Sequence, residues 1–143
     1  MAETEVSYSQ KTRELHNALM DSDRWDKFEF RDDDIVIDTW AKSGTTWTQQ
    51  IMAQLIFDGA EGVAAMDLAP WLDMRFIPLD DVLEMLGAQE HRRFIKSHLP
   101  AYALRMSPKA KYIFLARDGR DVIWSLHNHL RHQTQEFWDI LNS

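Results

Sequence analysis

Ile35-Val36-Ile37-Asp38-Thr39 leads through Trp40 into Ala41-Lys42-Ser43-Gly44-Thr45-Thr46-Trp47, and this turn leads into Gln50-Ile51-Met52-Ala53-Gln54-Leu55-Ile56-Phe57. The first stretch is short, apolar and β-branched, as a buried strand is. The last reads as an amphipathic helix: Trp47, Ile51 and Leu55 recur at i, i+4 and i+8, Met52 and Ile56 lie alongside, and Gln49, Gln50 and Gln54 form the polar face. The turn between them brings bare backbone N–H groups, two threonine hydroxyls and one ammonium to a helix N-terminus. Orphan N–H groups and the helix dipole favour an anion there. Lys42 precedes Gly44, so this is not the nucleotide loop Gly-x-x-x-x-Gly-Lys-Ser/Thr, in which lysine follows the second glycine.

Working outward, Arg93-Phe94-Ile95-Lys96-Ser97 reads as a second short strand, ended before Pro100. Lys111-Tyr112-Ile113-Phe114-Leu115-Ala116 is a third, apolar enough for a parallel strand covered on both faces. Between them fall a loop with short helical pieces from Ala60 to Pro78 and a helix over Leu79–Leu86 stopped by Gly87. The first helix is expected to end near Asp58-Gly59. Val122, Ile123, Leu126 and Leu130 continue as a helix, with one more from Gln133 to Leu141. Ahead of the first strand, Ser9–Met20 reads as a polar helix carrying Leu15 and Leu19. Trp25, Phe28 and Phe30 read as a packing cover, and Arg31-Asp32-Asp33-Asp34 as a solvated charged turn. Strands alternating with helices imply an α/β architecture, a three-layer, P-loop-like parallel sheet flanked by helices. Ligands of such sheets sit at the carboxyl ends of strands, and Lys42, His98 and Arg117 all fall just past predicted strand ends.

The chain has 143 residues, a net charge of −7, 45% hydrophobic residues and no cysteine. One domain spanning 1–143 fits that length. The acidic balance argues against a nucleic-acid or anionic-membrane binder. The lack of cysteine excludes disulfides, thiolate metal sites and a cysteine nucleophile, and is compatible with the cytoplasm. Met1-Ala2-Glu3-Thr4-Glu5-Val6 is too polar for a secretory leader.

Two further segments carry chemistry. In Tyr112-Ile113-Phe114-Leu115-Ala116-Arg117-Asp118-Gly119-Arg120-Asp121-Val122-Ile123-Trp124-Ser125, Arg117 can fork two N–H groups onto a phosphate, and Ser125 follows eight residues later. Alone, Arg-Asp-Gly-Arg-Asp also reads as a salt-bridged surface turn. In Phe94-Ile95-Lys96-Ser97-His98-Leu99-Pro100, His98 follows a strand end beside Lys96, and a histidine is suited to proton transfer near neutral pH. With the Lys42 turn, these three ordered segments, spanning about residues 30–129, resemble the cytosolic-type sulfotransferases that use 3′-phosphoadenosine 5′-phosphosulfate (PAPS).

That resemblance implies roles. Lys42, Ser43, Gly44, Thr45 and Thr46 would bind the 5′-phosphosulfate. Trp47 would stack on adenine, its other reading being helix core. Arg117 and Ser125 would hold the 3′-phosphate. His98 would deprotonate the acceptor, and Lys96 would steady the sulfuryl oxygens. The implied reaction moves a sulfuryl group to a hydroxyl or amine of a small acceptor, with Lys42 at the leaving oxygen. A sulfuryl group carries less charge than a phosphoryl group, so no metal is required. His129 and His132, at i and i+3, have no carboxylates beside them to complete a metal site. Pro70-Trp71-Leu72-Asp73-Met74-Arg75-Phe76 reads either as acceptor-pocket lining or as plain packing.

Trp40-Ala41 stand where many members of that family have Tyr-Pro. The family's late Arg-Lys-Gly segment has no counterpart in 131–143. The resemblance therefore implies a truncated sheet, the N-terminal half of such a domain, with an unprotected edge open to self-association or to a missing C-terminal half. Two alternatives stand beside catalysis: a non-catalytic nucleotide-binding fragment of this fold, and a P-loop small-molecule kinase.

Overall fold

The computed structural model describes residues 8–142. The acidic segment 1–7, read above as no leader, lies outside them. The centre is a three-stranded, all-parallel sheet in the order β2-β1-β3, formed by β1 (Asp34–Thr39), β2 (Phe94–Ser97) and β3 (Ala110–Leu115). β1 is buried along its whole length, as a central strand requires. Ile35 pairs with Phe94 and Asp38 with Ser97 on one side. Asp34 pairs with Ala110 and Thr39 with Leu115 on the other. Because the chain passes from β2 across β1 to β3, the winding reverses at the carboxyl end of β1, where ligands of open parallel sheets bind.

The sheet has cover on both faces. Ile35, Ile37 and Phe94 pack with Ala53 of α1 (Thr45–Ile56) and Ala65 of α2 (Ala65–Leu68). Alternate residues Val36 and Ile95 face Trp25, Phe28, Phe30 and the Val82/Leu86 stripe of α3 (Leu79–Ala88). The chain continues into α4 (Gly119–Arg131) and α5 (Gln135–Leu141). The expected three-layer α/β arrangement is what forms. β3 differs from its expected covering: it is an edge, and Phe114 is 55% exposed.

Several local expectations are corrected. Ser9–Met20 is not helical. The Asn17 carboxamide oxygen accepts from the backbone N–H groups of Leu19 and Met20, each at 2.8 Å, and such a side-chain turn competes with helix. The chain instead forms bridges from His16 to Asp21 and from Met20 to Met74. Trp25, in a 3-10 helix over Ser22–Lys27, is core rather than cover, with no exposed surface. The Arg31–Asp34 run is only partly solvated. Asp34 is buried and receives Arg93 through two hydrogen bonds, at 2.8 and 2.6 Å. Arg31 donates to the carbonyl oxygens of Gly87 and Gln89, both at 2.6 Å. A cation on the last carbonyls is what a helix C-terminus favours, and α3 accordingly runs through Gly87 to Ala88.

The packing of α1 is the largest correction. Its buried side chains are Thr45, Thr48, Gln49 and Ala53, with Met52 and Ile56 packed beside them. Gln49, assigned to the polar face, is 2% exposed and donates to the Ala69 carbonyl oxygen at 2.9 Å. Trp47, Ile51 and Leu55 stand 78%, 54% and 70% exposed. The small residues let the helix approach the sheet closely, and the buried amide is satisfied by the α2 segment.

Candidate functional site

The turn after β1 is shaped by two left-handed residues, Lys42 (φ 65°) and Gly44 (φ 116°). A non-glycine residue in that region is uncommon and such strain tends to mark functional turns. Gly44 caps α1 without a side-chain hydrogen bond, leaving the first-turn amides to an incoming anion. Ser43 and Thr45 are buried, Lys42 and Gly44 half-buried and Thr46 exposed. The Thr45 hydroxyl is already engaged by that of Thr39, so its side chain braces the turn.

Thr39, the last residue of the central strand, also anchors His98. The His98 Nδ1–H donates to the Thr39 carbonyl oxygen at 2.6 Å. A carbonyl can only accept, so the neutral ring carries its proton on Nδ1 and its lone pair on Nε2. Burial, reinforced by the Lys96 charge, lowers the imidazole to about 4, against the weaker opposing effect of the Thr39 bond. The ring is therefore neutral, with a free proton acceptor, across the physiological range.

Trp71 contacts two of the candidate catalytic groups, Lys96 and His98. Lys96 Nζ lies 4.5 Å from the centre of the Trp71 ring, and the His98 ring meets it edge-on at 4.8 Å. Burial lowers the Lys96 pKa and Lys42 adds to that, while Asp73 opposes it. Asp73 has no exposed surface. It accepts from the Trp25 indole at 3.1 Å, the Trp71 indole at 2.6 Å and the His98 backbone N–H at 3.2 Å. Asp38, 3% exposed, leaves Oδ1 without a hydrogen-bond partner. Burial and then the neighbouring Asp73 charge raise its carboxyl to about 7.

From the other side, Arg117 Nη1 donates to the Lys42 carbonyl oxygen at 3.1 Å, bringing the segment after β3 against the anion turn. Asp118 caps α4 by accepting from Arg120 N–H at 2.9 Å and takes the Arg120 guanidinium on both oxygens at 3.1 Å. The salt-bridged turn thus exists: Arg120 pairs with Asp118, and Arg117 Nε lies 3.9 Å from Asp121 Oδ2 while its Nη1 reaches Lys42. Ser125 lies half-buried in α4, with no hydrogen bond to Arg117 among the described residues. Trp47 is not helix core; it stands exposed in the first turn of α1. Among the described residues, the one His/Asp/Glu trio close enough to share an ion is Glu14, His16 and Asp23, all exposed. Lys11 Nζ already lies 2.7 Å from Glu14 there.

The strand-end reading located Lys42, His98 and Arg117 but passed over Thr39, Asp38 and Asp73. Thr39 is visible by the same rule, as the final strand residue. An aspartate inside Ile-Val-Ile-Asp-Thr was the signal for Asp38, since a carboxylate in an apolar strand contradicts its surroundings.

The sulfotransferase domain family matches residues 32–139. A glycolipid sulfotransferase of Mycobacterium tuberculosis is 41% identical over 116 residues, covering 80% of this chain and 36% of that protein. Human sulfotransferase 1E1 is 33% identical over 137 residues, covering 87% and 47%. Among solved structures, retinol dehydratase in complex with retinol and PAP superposes with a TM-score of 0.62 at 23% identity, covering 82% of this chain and 48% of that one. Mouse sulfotransferase SULT7A1 complexed with PAP gives 0.59 at 23%, covering 85% and 43%. These structures speak for the fold. The chain spans between about a third and a half of the length of these relatives.

Proposed function

Because this chain belongs to the sulfotransferase domain family, to which residues 32–139 match, we propose that it binds PAPS and serves transfer of its sulfuryl group to a hydroxyl or amine of a small acceptor. The observation that carries this reading is the meeting of three strand-end segments: Arg117 on the Lys42 carbonyl and His98 on the Thr39 carbonyl. In this reading the amides of Gly44, Thr45 and Thr46 and the Lys42 ammonium hold the 5′-phosphosulfate, with Ser43, whose N–H donates to the Trp40 carbonyl oxygen at 3.2 Å, bracing the turn beside them. Arg117 and Ser125 take the 3′-phosphate, and exposed Trp47 supplies a face for adenine.

The acceptor oxygen or nitrogen attacks sulfur, and the bond from sulfur to the 5′-phosphate oxygen breaks. The acceptor's proton passes to Nε2 of His98. Adenosine 3′,5′-bisphosphate leaves with its new charge facing Lys42, and Lys96 faces the sulfuryl oxygens. Positioning and fixed positive charge supply the catalysis. The low pKa of His98 keeps it deprotonated and ready to accept, with the thermodynamic pull coming from charge flowing onto the donor. No step in this scheme calls for a metal.

Relatives named for glycolipid and amine sulfation, and neighbouring structures holding retinol and androsterone, support a small, largely apolar acceptor that Trp71 would contact. No described helix is long and apolar enough to cross a membrane; the cytoplasmic setting expected from the sequence belongs to the same proposal. The uncovered α1 stripe and β3 edge support association with a second copy or with further sulfotransferase sequence. The family match and the order of Lys42 before Gly44 disfavour a P-loop kinase.

Calorimetry on the chain with adenosine 3′,5′-bisphosphate and with AMP tests the donor site, the bisphosphate being expected to bind more tightly. Equal affinities would remove the 3′-phosphate site. A PAPS-dependent transfer assay then separates catalysis from nucleotide binding alone.

A further inference from the structure

A fully buried carboxyl, that of Asp73, lies behind the proposed reaction centre. Residues Pro70 to Leu72 run beside β2 as a short added strand. Lys96 N–H donates to the Pro70 carbonyl oxygen at 3.0 Å, Leu72 N–H to that of Lys96 at 3.2 Å, and Trp71 bridges Lys96 in parallel register. This alignment puts Asp73 past the end of β2, where Asp21 N–H donates to its carbonyl oxygen at 2.9 Å. Its carboxylate oxygens then collect three N–H donors from three segments: Trp25 on Oδ1, and Trp71 and His98 together on Oδ2. A fully buried carboxyl hydrogen-bonded on both oxygens holds three N–H groups, and removing it would orphan all three at once.

We propose that Asp73 is the positioning residue of the acceptor side. Its Oδ2, by holding the Trp71 indole and the His98 main chain together, pins the His98 imidazole between the Thr39 carbonyl and the Trp71 ring and so fixes the Nδ1–H tautomer. The proposal rests on the reading of His98 as the general base. Asp73 touches no reacting atom in this scheme and acts through His98 and Trp71. Burial raises the Asp73 carboxyl, and in its ionised form it also favours the ammonium form of Lys96, so one buried group serves both the base and the cation that faces the sulfuryl oxygens.

The tautomer is directly measurable. Long-range ¹H–¹⁵N correlation spectra at pH 7 report which ring nitrogen of His98 carries the proton. The chain itself is expected to show Nδ1–H alone. Asp73→Ala and Trp71→Phe, which removes the indole N–H together with its five-membered ring, are each expected to give a mixture with the Nε2–H form at about a third or more of the population. Asp73→Asn, which can still offer one oxygen at the Oδ2 position, is expected to restore most of the Nδ1–H form. If Asp73→Ala does not fold, Trp71→Phe decides alone. A folded variant of either kind retaining pure Nδ1–H overturns the positioning role. An Nε2–H ring in the unmodified chain overturns instead the reading of His98 as base, so the two failures are distinguishable.

Discussion

At the scale of single residues, the proposed site is a set of groups whose protonation and direction are fixed by neighbours. Arg117→Ala removes a charge-assisted contact of about 1.5–3 kcal/mol, so bisphosphate affinity is expected to fall roughly 10–100-fold with AMP affinity little changed. Titration calorimetry reads both, and equal losses for the two nucleotides would place Arg117 elsewhere than on the 3′-phosphate. In a form that transfers sulfuryl groups, His98→Ala is expected to lower turnover about 10²–10⁴-fold while sparing donor affinity. Lys42→Ala should damage both, because one ammonium meets the bound donor and the leaving oxygen. Near-normal turnover of His98→Ala would mean that another group takes the proton. These residues were legible because strand ends gather ligands. Asp73 was legible only as part of a candidate pocket stretch, since its partners Trp25, Trp71 and His98 come from separate segments and no local pattern announces their meeting.

At the scale of elements, the three strands and the helices after β1 were readable from apolar runs and turn residues, whereas the helix expected over Ser9–Met20 does not form. The facing of α1 was not. Periodicity identified the stripe Trp47, Ile51, Leu55 correctly as apolar, but which face meets a sheet depends on how closely helix and sheet approach, and here Thr45, Thr48, Gln49 and Ala53 permit the closer contact. The exposed stripe predicts behaviour. Light scattering on the chain is expected to show species larger than 16.8 kDa, and Ile51→Lys with Leu55→Glu to shift them towards monomer. A monomer at all concentrations before substitution would show that the stripe is not adhesive. The Asp34–Arg93 pair fastens the start of β1 to the start of β2, both side chains nearly inaccessible to water. Arg93→Ala strands a buried carboxylate, and the expected loss is about 3–5 kcal/mol, read as a fall in the urea midpoint. A loss under about 1 kcal/mol would mean that water reaches Asp34. The sequence offered Arg31–Asp34 only as a charge run, because its partners lie at the end of α3 and just before β2, far along the chain.

For the whole molecule, buried groups set opposite dependences on pH, Asp38 and Asp73 in one direction and His98 in the other. Folded Asp38 keeps its proton up to about 7, whereas the ordinary value is 3.8. The folded state then binds more protons between those values, and stability falls by about 4 kcal/mol as pH rises through them. His98 acts in reverse: the unfolded chain protonates near 6.5 and the folded ring only near 4, so its contribution is present above 6.5 and is lost as pH falls towards 4. Asp38→Asn is expected to remove its own share of this fall while Asp73, whose carboxyl burial also raises, keeps a share of the same sign, so the variant gains over the parent chain as pH rises and gains most at pH 8. Identical urea midpoints for parent and variant from pH 5 to 8 would contradict this. The place of β1 in the middle of the sheet has a separate consequence, in time rather than in energy. Its pairing with β2 joins residues 59 positions apart, as Asp34 and Arg93 are, and its pairing with β3 reaches farther still. Such distant closures slow the search for the native state. The anion turn projects from the strand that must wait for both partners, so refolding followed by bisphosphate binding should recover only as slowly as the sheet assembles, well after local helix has formed.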